Sequence, residues 1–440
     1  MRGNNGMMRW VFGLAVLGFA IPAVASAQQV RAGLAGTWTG VWGREADTLD
    51  VTMRFAEEED GWSGSFDTDR LRVEGIPFTE IAVEPATAPG AQGVTIRLVG
   101  DATTTVFTGK VEGDSLTGTL EEDGNPGWFA FARASAQPPD LQEEDVRFQN
   151  GGVELAGTLI LPPGPAPYPA VVFVHGSGSE GRWASRYLAR RVARAGIAAL
   201  IWDKRGVGES TGWWPEAGPE DMAGDAAAAV SFLRSRPEID TSRVGIHGHS
   251  QGGMLAPMVA VRSGADFVIA SAASGVSFAD GETYSVGNFI GIKTLPPEEA
   301  ELARAYVEAI VEVAFRGAPV AEVEAAADRA RGHAWFFDPP GPDDPYWLFS
   351  RKIADYDPLV WWRRVEVPVL LLYGSADERV PVEASRSAIK TAIESAGRTT
   401  AEVRVFEGAD HTFRLRRSGD VWPRTVTGYP DAILEWLGRL

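Results

Sequence analysis

The segment Arg243-Val-Gly-Ile-His-Gly-His-Ser-Gln-Gly-Gly253 constrains this chain most, because a short apolar run leads directly into Gly248-x-Ser250-x-Gly252 and a helical pattern follows. Small residues two before and two after a serine let the backbone turn sharply from strand to helix, which lifts the hydroxyl above the end of a sheet. With 50 glycines in 440 residues, the bare pattern arises easily by chance. The strand-to-helix setting gives it weight, and it makes Ser250 the candidate nucleophile of an α/β domain.

A serine hydroxyl is a weak nucleophile at neutral pH, so it needs a base, and the base needs an acid to orient it. Where this turn occurs, the acid and then a histidine follow the serine in the chain. Of the five histidines (175, 247, 249, 333 and 411), only His333 and His411 come later. His333 precedes the strand expected to carry the acid. His411 lies just past the last expected strand, in Phe406-Glu-Gly-Ala-Asp-His-Thr-Phe413, and is assigned the base. Asp377 ends the strand in Leu370-Leu-Leu-Tyr-Gly-Ser-Ala-Asp377 and is assigned the acid. Glu378 would point elsewhere, and Asp410 is too close in sequence to align the ring. The plain alternative is a turn-forming Asp377 and a surface His411.

An attacked carbonyl becomes an oxyanion that preorganised N–H groups must meet. One donor is expected from Gln251, directly after the nucleophile. The other is expected from Ser177, in the loop Val174-His175-Gly176-Ser177-Gly178, with His175 organising that loop.

Around these motifs, apolar strand candidates at 170–174, 197–202, 244–247, 267–270, 367–373 and 402–406 alternate with helical segments at 183–195, 221–235, 252–262, 382–394 and 429–440. That alternation predicts a mostly parallel sheet covered on both faces. Between 270 and 367 lies an insertion too long for a simple crossover, with amphipathic segments at 297–315 and 320–331, and it is expected to form a helical cap over about 276–360. Upstream, short segments at 36–42, 49–55, 62–66, 94–98, 104–111, 115–120 and 127–131, separated by Gly, Asp and Asn, predict a small all-β antiparallel domain over 28–133. Pro138, Pro139 and several acids mark 134–145 as a linker, leaving 146–440 for the catalytic domain.

At the N-terminus, Arg2 and Arg9 precede an apolar stretch and then Ala25-Ser26-Ala27, the pattern of a signal peptide cleaved after Ala27. The stretch is shorter than the roughly 20 residues of a bilayer span, so no stable membrane span is expected. Absence of cysteine rules out disulfides and a thiolate nucleophile. The chain is therefore expected in the periplasm or outside the cell. A net charge of −18 without a basic block opposes nucleic-acid binding. No metal-binding motif is present, and no cofactor is expected.

His175-Gly-Ser-Gly178, Asp203-Lys-Arg-Gly-Val-Gly-Glu-Ser210, Arg236-Pro-Glu-Ile-Asp-Thr-Ser-Arg-Val-Gly245, the serine turn, Asp377 and His411 together resemble the α/β-hydrolase superfamily, from about residue 146 to 440. With a signal peptide, a β-rich first domain and a capped second one, the chain is similar to secreted EstD-type carboxylesterases. Its catalytic half also resembles prolyl-oligopeptidase-like and dienelactone-hydrolase-like domains. The resemblance implies a small-molecule ester substrate cleaved through an acyl-serine intermediate, with serine peptidase activity as the alternative. Gln251 stands where relatives often have other residues.

Two further features compete for attention. Gly176-Ser-Gly-Ser-Glu-Gly181 spells GxGxxG, and Asp203 ends the next strand, which is the pattern of a dinucleotide-binding oxidoreductase. Such a reading would leave Ser250, Asp377 and His411 in hydrolase order by accident. In the β-rich domain, Trp38, Trp42, Trp62 and Trp128 either form a carbohydrate- or envelope-binding face or fill the core. The aromatic residues Trp213, Trp214, Trp335, Phe336, Phe337, Tyr346, Trp347, Phe349, Trp361 and Trp362 either line a substrate pocket or pack internally.

Overall fold

The computed structural model describes residues 33–85, 91–99, 103–134, 141–397 and 399–440. The expected signal peptide lies outside these residues, as do residues 135–140 of the expected linker.

The N-terminal part is one nine-stranded antiparallel sheet. Its strands are β1 (Gly36–Arg44), β2 (Asp47–Glu58), β3 (Gly61–Thr68), β4 (Val73–Pro77), β5 (Glu80–Pro85), β6 (Ala91–Val99), β7 (Thr104–Glu112), β8 (Ser115–Glu122) and β9 (Asn125–Arg133), in the spatial order 4-3-2-1-9-8-7-6-5. Alternating residues of the central strands point inward, and Trp38, Met53, Phe107 and Leu116 are fully buried. The sheet curls into a half-barrel around this core. Trp422, from far along the chain, joins the same core. Trp38 and Trp42 are thus core residues, with the Trp38 indole N–H donating to the Leu34 carbonyl at 2.8 Å, and Trp128 is exposed.

The second part is an eight-stranded sheet of β10 (Gln142–Asn150), β11 (Val153–Leu161), β12 (Tyr168–Val174), β13 (Ala198–Trp202), β14 (Ile239–His249), β15 (Val268–Ser271), β16 (Val369–Gly374) and β17 (Ala401–Phe406), in the order 10-11-13-12-14-15-16-17. Strand β11 runs antiparallel to both its neighbours, β10 and β13, and the six strands from β13 to β17 are mutually parallel. The edge strand corrects the expected linker: β10 starts at Gln142, so residues 142–145 belong to the sheet. Cations hold its acids in place, with Glu143 paired to Arg186 at 2.8 Å, Glu144 to Arg236 at 2.7 Å and Asp145 to Arg182 at 3.1 Å. Acidity that reads as a solvated tether is here part of an edge strand, with ion pairs on both of its faces.

Period-two alternation sorts the parallel strands between two cores. Val171, Phe173, Ile201 and Leu372 meet α1 (Trp183–Arg194) and the C-terminal helix, while Val172, Val174, Leu200 and Leu371 meet the helices of the opposite face. The latter face is covered by α2 (Pro219–Arg234) and α3 (Gln251–Ser263). The insertion forms α4 (Phe278–Ile290), α5 (Pro297–Phe315), α6 (Val320–Ala330) and α7 (Pro345–Ile353), which share a core of Tyr306, Val311, Val323, Trp335 and Trp347. The following α8 (Pro358–Trp362) leaves the cap, because Trp362 is buried in the main core. Then come α9 (Val382–Ala396) and α10 (Tyr429–Leu437). Among the described residues no helix is long and apolar enough to cross a membrane.

Candidate active site

The C-terminal ends of parallel strands leave loops and helix N-termini at one edge of a sheet, where ligands bind in open α/β folds. Four such ends meet here. Strand β14 turns into α3 at Ser250, whose φ of +55° and ψ of −117° place a non-glycine residue in a sparsely populated region. Such a conformation costs about 1–3 kcal/mol and persists only when its surroundings enforce it. The Ser250 N–H donates to the Ser271 carbonyl at 2.9 Å. The flanking glycines are steric requirements, since a Cβ on Gly248 would stand 2.2 Å from the Gly252 carbonyl oxygen, and one on Gly252 would stand 2.3 Å from that of Val174.

His411 follows β17, and its Nε2 lies 3.0 Å from Ser250 Oγ. Its Nδ1 lies 2.9 and 3.0 Å from the two oxygens of Asp377, which follows β16. Asp377 and His411 are buried, and Ser250 is half-buried. Asp377 Oδ1 also accepts the N–H groups of Arg379 and Val380, each at 2.8 Å, so the carboxylate is fixed by its own turn. The acid and histidine loops are laced by backbone bonds from Ser375 to Phe406 and from Ala376 to Ala409, both 2.9 Å. This line of hydrogen bonds can take a proton from Oγ while keeping one imidazole tautomer fixed.

The neighbouring acids have other uses. Glu378 accepts the His411 N–H at 3.3 Å. Asp410 accepts from the Thr412 and Arg414 amides at 2.8 Å, which makes it a turn former. His333 sits in the cap beside Glu299 and Trp335. His249 donates from Nε2 to the His411 carbonyl at 3.1 Å, tying the serine strand to the histidine loop, and burial lowers its pKa to about 3.

Gln251 is the first residue of α3, so its N–H has no acceptor within its own helix. It lines the same cleft as Ser177, Gly178, Ser250 and His411. Its side-chain amide is buried, and neither polar atom has a hydrogen-bond partner among the described residues. The Ser177 loop is braced from behind. His175 Nε2 donates to the Trp202 carbonyl at 2.5 Å, and burial lowers the His175 pKa to about 3, so the ring stays neutral. Lys204 donates to the carbonyls of Gly176 and Gly178 at 2.6 and 2.8 Å, and burial brings its pKa down to about 8. Sequence reasoning missed Lys204, although the Asp203-Lys204-Arg205 turn pointed to its position. Asp203 itself is occupied by Arg182, whose Nη2 is 2.8 Å away, and by the Glu209 amide at 3.2 Å. Glu180 accepts the Gly176 N–H at 2.7 Å, so the GxGxxG segment is closed on its own acid.

Above Ser250 opens a cleft of about 480 Å³. Of the aromatic candidates, Trp214, Tyr346 and Phe349 line it, whereas Trp335 and Trp347 pack in the cap core and Trp362 in the main core. Met254, Phe278 and Phe315 add to the apolar lining, and Glu282 joins it from α4. That helix is anchored on the acid loop, with Tyr284 Oη donating to the Asp377 carbonyl at 3.1 Å and Asn288 Nδ2 to that of Glu378 at 3.0 Å.

The N-terminal half-barrel also reaches the site's outer side. Arg72 donates to the carbonyl of Thr412, next to His411, and its guanidinium lies 5.2 Å from the centre of the Tyr429 ring. Tyr429 stacks on Phe413 at 3.9 Å, and Arg414 donates to the Leu71 carbonyl at 3.0 Å. The histidine loop is therefore gripped from both halves of the molecule.

The model of the Alpha/beta hydrolase family matches residues 171–422, more than half of the chain. Esterase EstD of Thermotoga maritima is 25% identical over 327 residues, covering 67% of each chain. Thiohydrolase aneE of Aspergillus aculeatus is 37% identical over 106 residues, 24% of this chain and 33% of that one. A solved structure of the Pyrococcus furiosus esterase Pf2001 aligns with a TM-score of 0.44 at 17% identity, covering 68% of this chain and 90% of that one. The strand order, the serine turn and the family match agree, and the chain belongs to the alpha/beta hydrolase family.

Proposed function

We propose that the protein is an exported serine hydrolase that cleaves carboxylic esters through an acyl-serine intermediate. The observation that carries this reading is the Ser250–His411–Asp377 line of hydrogen bonds beneath a largely apolar cleft. The family match and the esterase name of the Thermotoga maritima relative support the reaction class. The basic, apolar and Ala25-Ser26-Ala27 segments support export.

In this mechanism Ser250 Oγ attacks the ester carbonyl as His411 Nε2 takes its proton. Asp377 holds the imidazole and stabilises the imidazolium. The N–H groups of Gln251 and Ser177 receive the oxyanion, the first with the added field of a helix N-terminus. Collapse of the tetrahedral intermediate expels the alcohol, which takes the proton from His411. Water, deprotonated by the same imidazole, then attacks the acyl-serine and releases the acid.

Amide hydrolysis uses the same groups, so ester against amide is the deciding comparison. Purified protein should turn over p-nitrophenyl esters with a far higher kcat/KM than proline p-nitroanilide. Faster cleavage of the anilide would replace the esterase assignment with a peptidase. Export predicts a secreted or periplasmic form that begins at Gln28, and an intact Met1 on a cytoplasmic pool would contradict it.

A further inference from the structure

Among the apolar walls of the cleft stands a carboxyl group that the serine chemistry does not use and the fold uses through one oxygen alone. Glu282 projects from α4 and is half-buried, and it forms no ion pair among the described residues. Asp344, the other acid on the lining, is already committed: its carboxylate caps α7 by accepting the Tyr346 N–H at 2.8 Å. Glu282 Oε1 accepts the Tyr346 hydroxyl at 2.7 Å, and Oε2 has no such partner among the described residues.

Leaving a carboxyl in such surroundings is costly, and burial pushes the Glu282 carboxyl up from the ordinary range despite Tyr346 and Arg379. Its orientation is nonetheless fixed. Tyr346 is packed edge-on against Trp347 at 5.0 Å. Through Tyr284 and Asn288 the same helix is fastened to the Asp377 loop, so Glu282 stands at a set position relative to Ser250. A costly, preorganised polar group within an apolar cleft is the usual form of a specificity contact.

We propose that Glu282 determines specificity by accepting a hydrogen bond through Oε2 from a substrate hydroxyl, so that the preferred esters carry a hydroxyl group in their acyl or alcohol portion. A substrate carboxylate would meet a like acid there. An ammonium group would share the space with Arg379, whose field acts on Glu282. A hydroxyl satisfies Oε2 without bringing a second charge out of water. The inference rests on the esterase reading of Ser250.

The test measures kcat/KM for matched ester pairs: ethyl esters of ω-hydroxy acids of several chain lengths against the unsubstituted acids, and monoacetates of diols against acetates of simple alcohols. Wild-type protein should prefer the hydroxylated member of at least one pair by about tenfold or more. Glu282→Leu should abolish that ratio, and Glu282→Gln, which keeps an acceptor, should retain most of it. The proposal is overturned if no pair is discriminated, if the ratio survives in Glu282→Leu, or if both members of a pair fall together in that variant. Ester turnover without a hydroxyl preference defeats this inference alone. No turnover of any ester, with no labelling of Ser250 by a fluorophosphonate, defeats the esterase reading together with it.

Discussion

The eight-stranded sheet is buried between helices on both faces, whereas the nine-stranded sheet curls around its own core and borrows Trp422 from the other half to complete it. Charged pairs also join the two. Glu74 pairs with Arg190 at 2.6 Å and Arg194 at 2.5 Å on α1, and Asp47, paired with Arg70 of its own half at 2.5 Å, also receives Arg424 at 3.1 Å and the Val421 amide at 2.8 Å from the other half. Every residue lining the cleft comes from the second half, yet the first half holds the residue after His411. On the proposed mechanism, one region supplies the reacting groups and the other supports the loop that carries one of them. The difference predicts that damage to the first should destroy chemistry, and damage to the second should loosen it.

The largest effect is expected in the catalytic half. Asp377→Asn removes the charge that stabilises the imidazolium and permits the wrong tautomer, so kcat should fall by about 10⁴-fold with KM little changed. Glu378→Gln, next in sequence but outside the Asp377–His411 pair, should change kcat far less, and equal losses in steady-state assays would break the distinction.

Beside the junction, Asp47→Ala leaves Arg70, only 9% exposed, without its principal counter-charge. Removing one partner of a buried pair costs about 3–5 kcal/mol. Denaturant unfolding followed by tryptophan fluorescence should show that loss. The Arg70 guanidinium, with the Val421 and Trp422 amides, holds the Asp47 carboxyl well below the usual carboxylate range. Its contribution is therefore present at neutral pH and is lost as the pH falls below about 4. In an acid titration, wild type should lose stability in that range more steeply than Asp47→Ala, and parallel curves would remove this role.

The smallest effect sharpens the comparison most. Arg72→Ala releases the Thr412 carbonyl and the face of Tyr429, and kcat should drop by roughly tenfold as His411 loses alignment. KM for a p-nitrophenyl ester should stay unchanged, since Arg72 does not line the cleft. An unchanged kcat would reduce the half-barrel to an appendage.

These roles were unequally legible in the sequence. The serine turn, the placement of Asp377 and His411 at strand ends, and α5 at Pro297–Phe315 follow from patterns a few residues long, whose geometry is local. Helix α4 was missed because it contains Gly281 and Gly287 and buries Ile290 alone, so it lacks the apolar stripe that announces a helix. Glu282 was missed with it. Local signals were nevertheless present: Ser277 caps the helix by accepting the Asp280 amide at 3.1 Å, and Gly291 ends it in the left-handed conformation. Strands β4 and β5 escaped notice because they are the two sheet edges, short and ending in Pro77 and Pro85, where alternation is weak. The grip of Arg72 on Thr412 joins residues 340 positions apart, and no local pattern encodes such a contact.

The central claim is that Ser250 is the nucleophile. Incubation of wild type and Ser250→Ala with a fluorophosphonate, followed by intact-mass and peptide analysis, tests it most directly. The account predicts one phosphonyl adduct per chain, on the peptide containing Ser250, and none in the variant. An adduct that persists in Ser250→Ala, or lies on another residue of the wild type, would contradict it.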